Sequence, residues 1–340
     1  MRRFKRSVFR KYFLKSKNDQ SDRTAEIEEK LKVYGVCVLG SGVFYVTGVK
    51  MPDHSTLWGQ GNATRVILSP EINEGAAIQI GSFCTVRNLC IAGAEEEFSA
   101  RPKEIGTRTG LLFRGTAQHH GDKGLQNATL ESCCIHSFTG GGLTCLDTGS
   151  SVRSSMTASN CHITRCGVGI YIPHFSEFHQ FTNMHCTGNG YGCINTGGNN
   201  LFLNCNFSGN TANFLIDNSD GMAKNNAHGA AIGCTFHHAN DNNGGIGIKI
   251  VNSGPGYIFS ACQIGFADVI LENSKRVQFI GTHIHRFVNI EIHGGSAMMT
   301  DCFFGVPETV IPIKLSGGAK LHCRDCIDME GNDVPVIEEE

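Results

Sequence analysis

The 340-residue chain holds 29 Lys and Arg against 31 Asp and Glu, a formal net charge of −2, so neither nucleic acid nor an anionic membrane is expected as its main partner. Its 40% hydrophobic residues suffice for a continuous core in one elongated domain. Forty-two glycines imply many tight corners, and sixteen cysteines need an explanation of their own.

In chain order, residues 1–20 form a basic leader. Arg2, Arg3, Lys5, Arg6, Arg10, Lys11, Lys15 and Lys17 alternate with Phe4, Val8, Phe9, Tyr12, Phe13 and Leu14. The leader lacks the unbroken apolar stretch of a signal peptide. It reads as an amphipathic docking arm or as a disordered lead-in, and the second reading is preferred. Asp22-Arg-Thr-Ala-Glu-Ile27-Glu-Glu-Lys-Leu31 then predicts a helix over about 22–33, capped at Ser21 or Asp22, with acid in its first turns. Its Ala25, Ile27 and Leu31 are expected to close the open end of the fold that follows.

From there the chain repeats. The recurring phrase is an apolar residue, two small or polar residues, a cysteine, any residue, then Ile or Phe. It reads Leu130-Glu-Ser-Cys133-Cys-Ile135, Ala158-Ser-Asn-Cys161-His-Ile163 and Phe202-Leu-Asn-Cys205-Asn-Phe207. Cys234, Cys262 and Cys302 head further copies, Leu89 and Thr282 fill the cysteine slot in two more, and Cys326 fits the first half. After each comes a second apolar run such as Val168-Gly-Ile-Tyr-Ile172 or Ile246-Gly-Ile-Lys-Ile250, alternating as a half-buried strand does. Gly, Asn and Asp sit between the runs, as left-handed corners require. Short strands recurring at this spacing predict an all-β fold, a single-stranded parallel β-helix spanning 21–330 with the short helix at its N-terminus.

Two stretches depart from the pattern. Glu95 to Gly124, rich in charge and ending in His119-His120-Gly-Asp122, is expected to be a lateral loop beside the coil. Residues 331–340, closing in Glu338-Glu339-Glu340, are expected to be a solvated acidic tail. The cysteines read as a disulfide framework or as small hydrophobes stacked in one internal ladder. Leu89 and Thr282 in equivalent slots favour the ladder, and with it assembly in a reducing, cytoplasmic compartment. Cys323-Arg-Asp-Cys326 has no second pair at zinc-site spacing. His237, His238 and Asp241, like His283 and His285, read as surface groups satisfied by water, so no metal or other cofactor is expected.

The opening resembles a known group. Asp22-Arg-Thr-Ala-x-Ile27, Gly42-Val-Phe-Tyr-Val46, Met51-Pro-Asp53 and Leu57-Trp-Gly-Gln-Gly61 are similar to the start of right-handed β-helix proteins of the pectate-lyase-like superfamily. That superfamily includes polysaccharide lyases, glycoside hydrolases and bacteriophage tailspike or tail-appendage proteins. The resemblance implies a right-handed coil, a polysaccharide or oligosaccharide ligand, a side-by-side homotrimer and, for a tail appendage, association with a virion. It carries over no catalytic residue. The N-x-D, D-D, G-H-G and R-x-K series of polygalacturonases is missing, with Asn226-Ala-His228-Gly229 only an echo of it, and no lyase-type cluster of Asp with a following Arg is present.

Candidate site residues follow from register alone. Equivalent offsets in a solenoid project from one longitudinal strip, and Asp147, Glu177, Asn199, Asn200, Asp217 and Asp220 fall at comparable offsets behind their slots. With rungs roughly 4.8 Å apart, Asp147 and Glu177 are expected about 5 Å apart and Glu177 and Asp220 about 10 Å apart. The first spacing suits a retaining carboxylate pair and the second lies near the inverting range. Glu177 with Asp220 or Asp147 is the expected acid–base set. His174, Phe175, Phe178 and His179 surround Glu177 as groups to stack on and orient a sugar, and Lys224 and His228 lie in the polar loop after Asp217. The leading expectation is a phage-type tail appendage that binds, and in its enzymatic form cleaves, a cell-surface polysaccharide. The alternatives are a non-catalytic structural or adhesive solenoid, and an intracellular glycan-processing glycosidase or lyase.

Overall fold

The computed structural model describes residues 11–17, 19–93, 105–114, 127–146, 155–173, 176–220, 227–239, 245–285, 288–305 and 313–338. They form a right-handed parallel β-solenoid of about 11 turns with one short helix. Each turn carries one strand on each of three faces. The first face stacks Ala128–Glu131, Met156–Ser159, Gln180–Thr182, Asn200–Leu203, Gly229–Ile232 and Tyr257–Ser260. The second stacks Cys134–His136, His162–Thr164, His185–Thr187, Asn206–Ser208 and Thr235–His237. The third stacks Gly141–Leu146, Val168–Ile172, Tyr191–Asn195, Ala212–Asp217 and Ile246–Val251. Every ladder is parallel, so each residue's equivalent in the next turn lies directly beside it.

The repeating phrase is the corner between the first and second faces. The residue before the slot is left-handed turn after turn: Asn88, Ser132, Asn160, Asn183, Asn204, Gly233, Ala261, Gly281, Asp301 and Asp325 all have φ between 50° and 65°. Asn, Asp and Gly dominate the column because they bear that conformation at least cost. The slot residue then points inward. Its thiol also satisfies the backbone. The Sγ atoms of Cys161, Cys205 and Cys262 donate to the carbonyls of Ser159, Leu203 and Ser260 at 3.2, 3.4 and 3.4 Å. Thr282 does the same with its hydroxyl, to Ile280 at 3.5 Å. A cysteine thus fits the core and adds a second donor to a corner carbonyl that already accepts a backbone N–H, as Ser159 O does from Ser132 and Ser260 O from Gly233.

All sixteen cysteines are free, and all but Cys134 and Cys323 are buried, as the ladder reading requires. Beside them run stacked phenylalanines. Phe181 lies on Phe202 at 4.8 Å, Phe207 on Phe236 at 5.5 Å and Phe259 on Phe279 at 5.1 Å. Each such pair adds about 1 kcal/mol beyond the burial of its rings. At the corner between the second and third faces, an asparagine ladder closes the backbone. Asn189 Nδ2 donates to Ile163 O and Asn210 Nδ2 to Cys186 O, at 3.1 and 2.9 Å.

The ends differ from the sequence expectations in detail. The helix (α1) runs Thr24–Tyr34, its N-cap is Arg23 without a side-chain cap, and Asp22 instead accepts from the Thr24 N–H at 2.9 Å. Ile27 and Leu31 join the core, whereas Ala25 is exposed. Within the stretch expected to be leader, Phe13–Leu14 pair with Val38 and Leu39, and Leu14 is buried. Within the expected tail, Val336–Glu338 pair with Ile313, Lys314 and Leu315. The segment expected to be a lateral loop contains a full third-face strand, Arg108–Arg114, paired with Gly75–Ile80. Its Leu111 and Phe113 belong inside, so charge on its flanks had hidden a rung. Glu95 to Lys103 and His119 to Asp122 lie outside the described residues. Among the described residues, no helix is long and apolar enough to cross a membrane.

Candidate functional site

The corner between the third and first faces varies in length, from 196–199 to 218–228, because a loop there leaves the three ladders undisturbed. Glu177, Gly198 and His228 occupy this corner on three successive turns. The described part of the predicted strip therefore shares one column: Glu177 and Phe178, then Asn199 and Asn200, then Asp217, Asp220 and His228. Asp147, His174, Phe175 and Lys224 lie outside the described residues.

Glu177 and His228 reach across the turn between them. A β-carbon on Gly198 would stand 2.9 Å from Glu177 Oε1 and 2.7 Å from His228 Cε1. The missing side chain leaves the gap into which both groups lean. His228 Nδ1 is buried with no hydrogen-bond partner among the described residues. A carboxylate and an imidazole at one gap can exchange a proton with a bound hydroxyl or glycosidic oxygen.

The other candidates separate into lining and support. Phe178 is 40% exposed and left-handed, at φ 64°, so its ring faces solvent. Asn199 is also left-handed and exposed. Asp217 and Asp220 are exposed, and Asp217 Oδ1 accepts from the Ser219 N–H at 2.9 Å. His179 and Asn200 are fully buried and serve the scaffold. His179 Nδ1 accepts from the Met156 N–H at 3.1 Å, while Nε2 lies 2.7 Å from Ser176 Oγ. Desolvation holds this imidazole down at about 3. Asn200 Oδ1 accepts from the His179 N–H at 2.9 Å, and its Nδ2 donates to Asn195 Oδ1 at 3.0 Å. Burial removes both side chains from direct ligand contact and makes them posts for the Glu177 corner.

A groove of about 460 Å³ opens next to His228 on the first face. Leu201, Ala230 and Ile258 form an apolar strip along it, one from each of three turns, with Asn199, Arg276 and Gln278 as polar groups around it. Sequence reasoning missed Gly198, Ile258, Arg276 and Gln278. A signal was present: Tyr257-Ile258-Phe259 and Asn200-Leu201-Phe202-Leu203 break the period-two alternation and put large apolar groups outside. Among the described residues no three His, Cys, Asp or Glu side chains are arranged to hold a metal ion.

Solved structures with very different sequences share this architecture. The A-module of mannuronan C-5 epimerase AlgE4 from Azotobacter vinelandii is 13% identical with a TM-score of 0.51, over 95% of this chain and 96% of its own. The shared fold is the right-handed parallel β-helix. Full-length tailspike protein 2 of an Escherichia coli O157:H7 bacteriophage shares it at 13% identity and a TM-score of 0.53, over 88% of this chain and 41% of the tailspike. So does the catalytic unit of the GH87 α-1,3-glucanase from Streptomyces thermodiastaticus, at 13% identity and a TM-score of 0.56, over 92% of this chain and 67% of that one. No protein-family model and no curated protein matches the sequence.

Proposed function

We propose that the protein binds a polysaccharide along the groove beside His228 and acts on it with Glu177 and His228. The observation that carries the reading is the groove itself: an apolar strip, ringed by a guanidinium, two amides and an imidazole, next to a carboxylate-lined gap. Sugar rings offer C–H faces to apolar surface and hydroxyls to amides and charged groups, and this arrangement presents both. The fold neighbours are named as an epimerase of mannuronan, a phage tailspike and an α-1,3-glucanase, which supports a carbohydrate as the ligand by analogy of fold. We read the chain as a tail-appendage-type protein that assembles side by side into a trimer. A light-scattering mass of one chain, unchanged on concentration, would remove the trimer without touching the groove.

In this reading Glu177 transfers the proton at the reacting oxygen, and His228 is the second titrating group at the gap. Asp217 and Asp220, on the same corner as His228, hold sugar hydroxyls. The experiment is to incubate the purified protein with a panel of polysaccharides and to measure retention, new reducing ends and the ultraviolet absorbance of unsaturated uronides. Reducing ends without absorbance mean hydrolysis, and absorbance means elimination. Retention alone means a binding module, and no retention on any glycan overturns the reading.

A further inference from the structure

The outer surface of the second face carries a different chemistry, on the far side of a corner from the groove. In consecutive turns Arg65, Cys90, Cys134 and His162 are direct register partners. Cys90 is 5% exposed, whereas Cys134 is half-buried and lines an open groove of about 390 Å³ with His162 and His185. The slot cysteines on either side point inward. This pair alone puts two thiols side by side on the outer surface of adjacent turns among the described residues. Cys90 Sγ lies 3.3 Å from His136 Nε2, and His136 Nδ1 lies 3.0 Å from Ser137 Oγ. With its Nδ1–H given to the serine, His136 presents Nε2 to Cys90 as an acceptor.

We propose that Cys134 and Cys90 are a thiol–disulfide exchange site, with Cys134 as the attacking sulfur and Cys90 as the resolving one. The Cys134 thiolate attacks one sulfur of a disulfide entering the groove. A bond forms between Cys134 Sγ and that sulfur, the substrate's S–S bond breaks, and the first thiolate leaves. Cys90 then gives its proton to His136 Nε2 and attacks Cys134 Sγ. The Cys90–Cys134 bond forms, and the second substrate thiolate leaves and takes the proton from His136. Two protein thiols are oxidised and one substrate disulfide is reduced to two thiols, so the electrons balance.

The backbone allows the closed form. Parallel neighbours in register stand about 4.8 Å apart at Cα, inside the roughly 4.4–6.8 Å that disulfides span. The electrostatics favour the assigned order: the Cys90 thiol, against desolvation and with help from Arg65, brings Cys134 down to about 7, while the same contact pushes Cys90 up. A thiol with that pKa is about half thiolate at neutral pH, against a few per cent for an ordinary one.

The test uses the full chain carrying Cys323→Ser, which removes the one exposed thiol, and dithiobis(nitrobenzoate) as the probe disulfide. In the native protein two nitrothiophenolates should be released per chain with no label retained. The mass should fall by two hydrogens, and a peptide map should join Cys90 to Cys134. Cys90→Ser, or Cys90→Ala should the first variant fold poorly, should release one and retain one label on Cys134. Cys134→Ser should lose rapid release altogether. A stable label on Cys134 with Cys90 intact, or no release from the native protein before it unfolds, overturns the proposal.

Discussion

Glu177 and His228 lie two turns apart in the coil, yet both approach the same empty point above Gly198, at 2.9 and 2.7 Å. Only glycine leaves room for both. Gly198 is not in the left-handed region, so an alanine meets no backbone strain there and collides only with the ends of two side chains. Gly198→Ala should therefore change stability by no more than about 1 kcal/mol while separating the pair. Glycan turnover, or affinity for a binding module, should fall at least about tenfold with the urea midpoint nearly unmoved. Unchanged activity in a folded Gly198→Ala variant would show that the gap has no part in the chemistry.

Glu177→Gln keeps the shape of the corner and removes the titrating proton. An enzyme using Glu177 as acid or base should lose about 10²–10⁴ in turnover while still retaining glycan on an affinity gel. Asp220→Asn tests the second carboxylate expected from register. Loss of turnover there as well would put Asp220 in the proton-transferring set, while weaker retention alone would keep it as a sugar contact. Both variants acting as the parent does would return this corner to a structural role.

The coil was legible because its signal is repeated. Asn88, Asn160, Asn183 and Asn204 stand before slot residues in the sequence as they do in the left-handed column, and one misread copy leaves the others intact. Glu177, Asn199 and Asp220 fall on the third-to-first corner because they lie 16, 15 and 15 residues behind Cys161, Met184 and Cys205. The groove was not legible. Leu201, Ala230, Ile258 and Arg276 come from four turns and share no motif, and the Gly198 gap exists only once Glu177 and His228 are placed around it. The strand Arg108–Arg114 was lost among charged flanks, although Leu111 and Phe113 hold the alternation inside it. His179 was read as a sugar contact because polarity in a corner does not reveal burial. Its bond from the Met156 N–H shows that it completes the preceding turn's backbone.

That bond makes His179 a source of acid sensitivity. The imidazole has an ordinary value of 6.5 and is held at about 3 by desolvation in the folded protein. Above 6.5 the folded and unfolded chains both keep it neutral, and it adds no pH dependence. Below 6.5 the unfolded chain takes up a proton that the folded chain refuses until about 3. Stability should therefore fall as pH drops through that window, by up to about 1.4 kcal/mol per unit for one such group. His237, held at about 4 chiefly by desolvation, adds a smaller effect because its ring is only half-buried. Urea midpoints measured across the window should fall less steeply in His179→Gln than in the parent. Equal slopes would mean that the buried imidazole is not what acid attacks.

The slot cysteines supply the last expectation. Cys262 is 1% exposed and hydrogen-bonds two carbonyls, Ser260 O at 3.4 Å and Ala231 O at 3.3 Å. Thr282, on the next turn, places a hydroxyl against Ile280 O and Phe259 O at 3.5 and 3.3 Å. The slot thus accepts a thiol or a hydroxyl that donates to these carbonyls, while Leu89 and Met184 fill it on other turns as buried apolar groups. Cys262→Thr should cost about 1 kcal/mol or less, since the hydroxyl takes the thiol's place as a donor at the corner. Cys262→Ala removes this extra donor, although Ser260 O keeps the Gly233 N–H at 2.9 Å, and opens a small void, at about 1–3 kcal/mol in all. In the native protein Cys161, Cys205, Cys234 and Cys262 should resist thiol reagents until unfolding, because each is buried in the core cluster. Urea midpoints that rank alanine above threonine would show that these sulfurs act as plain apolar filler, and rapid native labelling of all four would overturn the inward register from which the whole corner column is argued.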